Sequence, residues 1–433
     1  MRRQTHGLMA TVSLALLLGW GPGTGDGGPS SVLGLQSSAA AAQEGRFLGG
    51  GLSADPAGWA FHPTLATAAD GTLYAAWSQH TNPATWQLVG TYVARWTTGA
   101  WQPLGGRVGT PADPDGGIWA EGYAPALAVV GSTPYVAWYE GGGYGWGTVA
   151  GTAIRTSVFV AHWDGSQWVT DRNPAMPNGA LNTAPGNAGR TPALAVVSGV
   201  LHAAWIETHR PPAGGAVNVL VVQRLAGGQW SPVGPPFFAG PSPGMILDIA
   251  LAEAGGSLYA GWAQDGRLYV ARWDGTTWAP VGAALQGAPG GLANQVALTG
   301  LAGVPYVAWQ ERAPRGPSQL FVQAWTGTAW VPLGGSQNRD PARGEAGRPA
   351  LGRDGTRLWL AWAEGGPGER AALYVRALVN GRWSGASPPL NRVPGTGAAD
   401  GPALAVNNGR PVVIWAEKNP PPATKQIYVK ELQ

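Results

Sequence analysis

The chain has 433 residues, of which 44% are hydrophobic and 12% are charged, and its 27 Lys and Arg nearly balance its 24 Asp and Glu. A formal net charge of +3 on so long a chain creates little field, so the composition argues against nucleic acid as a partner. The sequence contains no Cys, which excludes a disulfide framework and any metal site built on cysteine.

The N-terminus predicts an export signal. Two arginines follow the initiating methionine, and the apolar run from Leu8 to Trp20 is too short to span a bilayer but typical of a signal peptide. Small residues before Gln43 offer a cleavage site. We therefore expect residues 1–42 to be a signal peptide and low-complexity leader, and residues 43–433 to form one secreted domain, extracellular or periplasmic, without a transmembrane segment.

A short element ending in Trp-x-Glu or Trp-x-Gln recurs through the rest of the chain. It occurs seven times, at intervals of 47 to 67 residues, with its tryptophans at Trp77, Trp138, Trp205, Trp262, Trp309, Trp362 and Trp415. Such a period indicates a repeat architecture. We number the repeating units 1 to 7 after these tryptophans.

Two further elements accompany the first one. Ahead of it stands an apolar run, clearest as "PALAV" at Pro125, Pro192 and Pro402. After it comes a pair of bulky residues five positions apart, seen at Trp96/Trp101, Trp163/Trp168, Leu225/Trp230, Trp273/Trp278, Trp325/Trp330 and Leu378/Trp383. Each unit thus holds four short apolar runs separated by Gly, Asp, Asn and Pro turn signals, which predicts four strands per unit and an all-β fold.

Four-stranded units repeated seven times are the pattern of a seven-bladed β-propeller with antiparallel blades. Unit 7 has only three of its four strands before the sequence stops, and the stretch from Arg46 resembles the fourth strand of unit 1, with Leu48 aligned to Leu104. We expect the N-terminal strand to complete the last blade and close the ring. The paired tryptophans then belong to the architecture, where they face each other across the hairpin of strands 3 and 4 or cap the outer end of a blade.

At these residues the sequence resembles secreted bacterial seven-bladed β-propellers. The turns "HWDGSQW" and "RWDGTTW" resemble a relaxed Asp-box, the hairpin motif of sialidase-type propellers, although only Asp164 and Asp274 are acidic at this position. No arginine triad or Tyr/Glu nucleophile pair can be matched residue by residue, so the resemblance does not carry sialidase activity over. Propellers serve as hydrolases, lyases, lectins and scaffolds, so the fold alone leaves the function open.

Residues that recur in every unit are most simply properties of the repeat. The Glu or Gln two positions after each element tryptophan would form a sevenfold ring, for which we favour hydrogen bonding to a neighbouring loop over a cation site. A single binding or catalytic site, in contrast, needs residues that differ between units. The loops between strands 2 and 3 differ most, since unit 4 has almost none and units 1 and 2 have long insertions.

We predict that a ligand binds at the loops and inter-unit connections of units 1 to 3. The candidate binding residues are Trp59, His62, His80, Trp86, Trp119, Tyr123, Glu140, Tyr144, Trp146 and His209. Aromatic rings beside a few polar groups suit the apolar faces and hydroxyls of sugars, so carbohydrate is the predicted ligand and an extracellular protein the alternative. The competing interpretation is that these rings fill space beneath glycine-rich loops.

The sequence offers little for catalysis or cofactors. His62, His80 and His209 could join Glu121, Glu140 or Glu207 as an acid/base set only if the fold brings them together. "ADPDGG" lacks the later ligands of a Ca²⁺ loop and reads as an ordinary turn. We therefore predict a monomeric recognition module with neither cofactor nor metal; the alternatives are a polysaccharide-active hydrolase or lyase and a scaffold without a small-molecule ligand.

Overall fold

The apolar runs of the repeating units form β-strands, and the described residues contain no helix. The computed structural model describes residues 45–82, 87–97, 99–109, 122–141, 148–149, 152–153, 156–176, 178–209, 215–241, 243–366, 370–420 and 424–433. By its contacts the chain divides into Met1–Ser38, which lies outside the described residues, and Ala39–Gln433. All the strands belong to the second part.

Units 1 and 7 share one sheet of eight strands. Its members are β1 (Arg46–Phe47), β2 (Trp59–Thr67), β3 (Leu73–Asn82), β4 (Gln87–Thr97), β5 (Ala100–Pro103), β28 (Ala398–Asn407), β29 (Arg410–Lys418) and β30 (Lys425–Glu431). Its order is β28-β29-β30-β2-β3-β4-β5, and β1 pairs with β30. The sheet is mixed because one parallel bridge, between Trp59 and Lys425, joins two antiparallel groups of four.

Units 2 to 6 form five separate antiparallel sheets of four strands each. Unit 2 contains β6 (Gly122–Val130), β7 (Thr133–Glu140), β10 (Ser157–Trp163) and β11 (Trp168–Thr170), with the small pair β8 (Thr148–Val149) and β9 (Thr152–Ala153) inserted. Unit 3 contains β12 (Ala188–Val197), β13 (Val200–His209), β14 (Val217–Ala226) and β15 (Gln229–Pro232). Unit 4 contains β16 (Ile246–Ala254), β17 (Ser257–Gln264), β18 (Arg267–Trp273) and β19 (Trp278–Pro280).

The remaining two sheets repeat this arrangement. Unit 5 contains β20 (Leu292–Leu301), β21 (Val304–Arg312), β22 (Ser318–Trp325) and β23 (Trp330–Pro332). Unit 6 contains β24 (Glu345–Arg353), β25 (Leu358–Gly365), β26 (Ala372–Val379) and β27 (Arg382–Trp383). The all-β prediction with four antiparallel strands per unit is therefore confirmed for these sheets.

The core lies between adjacent sheets. One cluster, for example, joins Leu220 and Val222 of unit 3 to Leu258 and Trp262 of unit 4. The first strands also contact each other in succession, β2 with β6, β6 with β12, β12 with β16, and onward through β20 and β24 to β28, which contacts β2. Each sheet thus buries its two faces against its neighbours, which explains why the second strands are almost continuously apolar.

The N-terminal strand occupies the place that the alignment predicted. Leu48 and Leu104 are both buried, and the backbone N–H of each donates to a third-strand carbonyl at 2.9 Å. The indole Nε1 of Trp101 donates to the carbonyl of Leu48, and that of Trp168 donates to the carbonyl of Leu104, both at 2.8 Å. The two leucines are therefore structural equivalents, one at the end of β1 and the other at the end of β5.

The tryptophan pairs join neighbouring units. Trp273 and Trp278 are cross-strand partners with ring centroids 5.7 Å apart, and Trp278 Nε1 donates to the carbonyl of Val233 in the preceding unit at 2.8 Å. The same type of bond runs from Trp101 to Leu48, Trp168 to Leu104, Trp230 to Asp171, Trp330 to Val281 and Trp383 to Leu333. The second aromatic of each pair is therefore a hydrogen-bonded contact between units as well as a packing group.

Where the turn between these tryptophans contains Asp, the carboxylate stabilises the turn, as in an Asp-box-like hairpin. In unit 4, Asp274 Oδ1 accepts hydrogen bonds from the backbone N–H groups of Thr276 and Thr277, both at 2.7 Å. Backbone hydrogen bonds to Gln167 and Ser166 similarly lower the pKa of Asp164 to about 2. These aspartates stabilise their own turns.

The repeated Glu or Gln forms what we call the clasp. Each element tryptophan is at most 4% exposed and donates its Nε1 to the carboxylate or amide two residues later, at 2.7 to 3.1 Å. In unit 5 the carboxylate of Glu311 also accepts the backbone N–H groups of Gly287 and Ala288, both at 2.7 Å. The predicted hydrogen bonding to a neighbouring loop is thus confirmed.

Candidate functional site

Every first strand contains a β-bulge near its start. The pairing register shifts between Phe61 and Thr64 in unit 1 and at the corresponding point in the later units, except that in unit 4 it shifts one residue earlier, between Ile246 and Asp248. The residues at the equivalent position of the seven first strands are His62, Ala124, Thr191, Asp248, Gln295, Arg348 and Gly401. Six of these seven have a positive φ, between 47° and 55°. The backbone geometry therefore belongs to the repeat, while the side chain that it presents changes from unit to unit.

Ionisable and amide groups from five units meet at these bulges and form what we call the bulge cluster. Its members are His62, Asp248, Gln295, Arg348, Asp400 and Lys425. Gln295 Oε1 accepts the backbone N–H of Arg348, and Arg348 Nε lies 3.0 Å from Asp400 Oδ1. Lys425 Nζ lies 2.8 Å from Asp400 Oδ2. A line of contacts therefore runs from unit 5 through unit 6 to unit 7.

Small residues make room for these contacts. A Cβ on Gly347 would lie 3.2 Å from Gln295 Oε1, and one on Gly401 would lie 3.9 Å from Arg348 Cδ. Gly401 also lies next to Pro63, the residue after His62. The guanidinium of Arg348 thus extends along the bulge of unit 7 towards unit 1.

The cluster combines buried and accessible charges. The side chains of Arg348 and Asp400 are 42% and 43% exposed, so a ligand can reach both. Burial and then the charge of Arg348 lower the pKa of His62 to about 4, so this imidazole is neutral at pH 7. Burial raises the pKa of Asp248 to about 6. Burial acts against ionisation of Asp400 too, but Arg348 and Lys425 outweigh it and lower its pKa.

Aromatic side chains of unit 1 adjoin the cluster. Trp59 and His80 are cross-strand partners, and the ring of Phe61 lies 5.0 Å from that of His62 and 5.3 Å from that of His80. Lys418 Nζ is 5.3 Å from the ring centre of Trp59. The fold therefore brings together three predicted binding residues, Trp59, His62 and His80, and places a cation over the largest ring.

Two other predicted residues have structural partners. Glu140 is a clasp residue that accepts the Nε1 of Trp138 at 2.7 Å. His209 Nε2 lies 2.9 Å from Glu207 Oε1, and Glu207 accepts the Nε1 of Trp205 at 2.7 Å. His209 thus extends the clasp of unit 3.

The other predicted residues cannot be placed in the same way. Trp86, Trp119, Tyr144 and Trp146 lie outside the described residues, as do Glu121 and the "ADPDGG" turn. The backbone of Tyr123 belongs to β6, in which it pairs with Tyr139. Whether these residues bind a ligand stays a prediction.

Sequence reasoning missed Asp248, Arg348, Asp400 and Lys425. A signal was present for the first two, because the aligned stretches read "HPTLA", "APALA", "TPALA", "DIALA", "QVALT", "RPALG" and "GPALA". The first position of these stretches differs in every unit, while the four positions that follow it are similar and always include the same Leu. Asp400 and Lys425 give no such signal, since their approach depends on pairing between strands.

Searches for a metal site or a membrane span gave negative findings for the residues described here. No group of three or more His, Asp or Glu in these segments is placed to hold a metal ion. The described strands and loops also include no helix long and apolar enough to cross a membrane.

Comparison with known proteins gives structural likeness only. No family model and no curated protein matches the sequence. An ulvan lyase, described as a new family of polysaccharide lyase, matches with 13% identity and a TM-score of 0.54, over 86% of this chain and 94% of the lyase. This likeness concerns the fold, and it is consistent with a β-propeller.

Two further solved structures have lower scores. A protein of unknown function from Dyadobacter fermentans matches with 14% identity and a TM-score of 0.47, over 75% of this chain and 95% of that protein. Trypanosoma rangeli sialidase in complex with the inhibitor DANA matches with 12% identity and a TM-score of 0.44, over 77% of this chain. The match spans only 56% of the sialidase. Scores this low support no conclusion about activity.

Proposed function

We propose that the protein is an exported seven-bladed β-propeller that binds an anionic carbohydrate at the bulge cluster. The blade number is supported by the four strands of each sequence unit, once β1 is counted with β28, β29 and β30. Closure of the ring is supported by the contact of β28 with β2 and by the pairing of β1 with β30. Such closure leaves few open sheet edges in a chain without disulfides.

Removal of residues 43–55 tests the closure. The deletion takes away β1 and the buried Leu48 and Leu52, so we expect the free energy of unfolding to fall by about 4 kcal/mol or more. Thermal unfolding followed by tryptophan fluorescence measures the change, and L48M serves as a control that keeps the strand and its volume. An unchanged melting temperature in the deletion would contradict closure by the N-terminal strand.

The binding proposal depends on one observation: the equivalent position of the seven first strands carries a different side chain in each unit, and one of these side chains, Arg348, meets the accessible Asp400 beside aromatic rings. Arg348 and Asp400 are accessible, and Trp59 lies under Lys418. Residues that maintained only the repeat would be expected to repeat. We infer that this variation serves a ligand.

The chemistry of the cluster favours a sugar acid. Arg348 offers a planar fork of N–H donors suited to a carboxylate or sulfate, and Asp400 can accept a hydroxyl. The half-buried face of Trp59 suits the C–H face of a pyranose ring.

Binding of polygalacturonate, with neutral dextran for comparison, tests the proposal by isothermal titration calorimetry. We expect the wild-type chain to bind polygalacturonate but not dextran, and R348N to bind about tenfold more weakly. Asn suits the positive φ at this bulge, so the variant keeps the backbone. The matched control is R382N, because Arg382 is exposed on the outermost strand of the same unit. Equal affinity in all three proteins would overturn the proposal, and so would failure of the wild type to bind any anionic glycan.

A polysaccharide-active hydrolase or lyase is the second candidate, and His62 favours it. Its imidazole is neutral at pH 7, and its buried Nδ1 has no hydrogen-bond partner among the described residues. A neutral imidazole next to Arg348 and Asp400 is able to accept a proton from a bound sugar. Release of new reducing ends from polygalacturonate, lost in H62N, would establish catalysis; binding without release would leave the recognition module.

A further inference from the structure

Unit 6 contains an open cleft outside the bulge cluster. Its volume is about 740 Å³, and its lining includes Arg339 and Arg343 from the connection between β23 and β24, Gly365 at the end of β25, and Tyr374 of β26. The cleft lies between the end of β25 and the connection that leads into β24. The start of β24 pairs with the end of β25, so the cleft lies at the same end of the sheet as the bulge of β24.

The backbone of this connection is held in place by two carboxylates. Glu364 accepts the backbone N–H groups of Arg339 and Asp340, at 2.7 and 2.8 Å, together with the Nε1 of Trp362 at 2.7 Å. Asp340 Oδ1 accepts the backbone N–H of Ala342 at 3.1 Å. Both acids of the cleft accept hydrogen bonds from the loop itself, so the guanidinium groups are the charged hydrogen-bond donors that this cleft offers to an anion.

The two arginines have different surroundings. The guanidinium carbon of Arg339 lies 5.2 Å from the ring centre of Tyr374, and Arg339 Nη1 donates to the Tyr374 hydroxyl at 3.0 Å. Stacking fixes this side chain while leaving further N–H donors. Arg343 is exposed, four positions along the same connection.

Comparison between units separates Arg343 from the needs of the repeat. The connections of units 6, 7 and 3 read "NRDPARG", "NRVPGTG" and "NTAPGNA", and in each the leading Asn holds a third-strand N–H at 2.9 Å. At the position of Arg343 the other two units have Thr396 and Asn187. The loop therefore does not require Arg at this position. Like the bulge residues, Arg343 differs between units, and it lies in a cleft beside the fixed Arg339.

We propose that this cleft binds a second anionic group of the same glycan chain, held between Arg339 and Arg343. The inference rests on the proposed function and deepens it: the ligand is a polyanion with acid groups on successive or nearby sugars. Arg343 precedes Arg348 by five residues, so their Cα atoms are at most about 18 Å apart. A glycan extended across that distance can occupy both sites.

The chemistry common to the candidate groups is a planar or tetrahedral oxyanion, carboxylate or sulfate. Polygalacturonate supplies carboxylates and dextran sulfate supplies sulfates, with neutral dextran as the uncharged backbone. Titration of the full-length wild-type chain with each polymer, at low and physiological salt, distinguishes the two sources. Affinity carried by exposed arginines falls as salt rises.

The decisive variant is R343T, which installs the residue that unit 7 has at this position. We expect R343T to bind the preferred polyanion about fivefold more weakly than wild type, and R343T combined with R348N to bind more weakly than either single variant. The melting temperature of R343T should equal that of wild type, because Arg343 is exposed and its side chain makes no hydrogen bond or ion pair among the described residues. R382T, on the outer strand of unit 6, is the control.

The possible outcomes separate the two proposals. If wild type binds a polyanion and R348N weakens it while R343T matches R382T, the second site is overturned and the bulge cluster stands. If R343T weakens binding and R348N does not, the cleft is a site but the bulge cluster is not. Failure of wild type to bind either charged polymer would overturn both.

Discussion

The clasp and the bulge are both repeated in every unit, yet they differ in what varies. At the clasp, the tryptophan is constant and its partner is always Glu or Gln, because the indole N–H and loop N–H groups are buried and need an acceptor. At the bulge, six of the seven units share the same positive-φ backbone, and the side chain ranges from glycine to arginine. The contrast shows that a repeated backbone need not mean a repeated function. Side chains are uniform where the same buried hydrogen bonds recur in every unit, and they diverge at the bulge, where no such shared set of bonds fixes the residue type.

Breaking a clasp should have the largest effect. Glu311 is 1% exposed and accepts three N–H groups, from Trp309, Gly287 and Ala288, so E311A leaves three buried donors without a partner. We expect the free energy of unfolding to fall by about 3–5 kcal/mol, measured by urea denaturation. E311Q is the matched control, since Gln serves in units 1 and 4, and it should lose less than half as much. Equal losses for Ala and Gln would contradict this, because they would show that an amide oxygen cannot replace the carboxylate in this clasp.

The stability contributed by the bulge cluster should depend on pH, because His62 titrates differently in the folded and unfolded chains. His62 has a pKa of about 4 in the folded chain against 6.5 for an ordinary histidine, so the unfolded chain binds more protons between these values. The free energy of unfolding should therefore be higher above pH 6.5 and fall by about 3 kcal/mol as the pH drops to 4. In H62N, whose Asn tolerates the positive φ, this part of the loss should vanish.

The comparison of H62N with wild type isolates His62. Asp248, with its raised pKa of about 6, contributes in the opposite direction over part of the same range, but it is present in both proteins. Urea denaturation at several pH values between 4 and 7 measures the slopes. Parallel slopes for the two proteins would mean that His62 is not held neutral by its surroundings.

The tryptophan pairs should give the smallest effect. Trp330 Nε1 donates to the carbonyl of Val281 at 2.7 Å, and W330F removes this bond while keeping an aromatic ring. We expect a loss of about 1–2 kcal/mol in the free energy of unfolding. W325F is the matched control, because the ring of Trp325 packs against that of Trp330 with centroids 5.5 Å apart and makes no such bond among the described residues. If W325F costs as much as W330F, the inter-unit hydrogen bond contributes nothing beyond packing.

Local patterns were enough to predict a large part of the fold. The interval between Trp273 and Trp278 reflects a tight hairpin whose flanking residues pair directly, and short-range turn chemistry of that kind is readable from residue order. The place of β1 was also predictable, because Leu48 and Leu104 have the same neighbours in sequence. The abundance of aromatic residues in the long loops predicted a binding site there, but nothing in the composition predicted the ionic groups at the bulges.

The site was harder to predict because it depends on which first strands adjoin. Arg348 and Asp400 are 52 positions apart, and their contact requires β24 and β28 to lie side by side with bulges at the same height. The positive φ of Arg348 sets the direction of its side chain, and an arginine in the sequence does not predict a positive φ.

Sequence by itself determined the repeat, the strands and the tryptophans that join them, because periodic burial and tight turns are properties of neighbouring residues. Only the tertiary structure decided that His62, Arg348, Asp400 and Lys425 meet, and that His62 is neutral there while Asp400 is ionised. The physical reason is that a pKa depends on burial and on charges within a few ångströms, and those neighbours come from strands far apart in the chain.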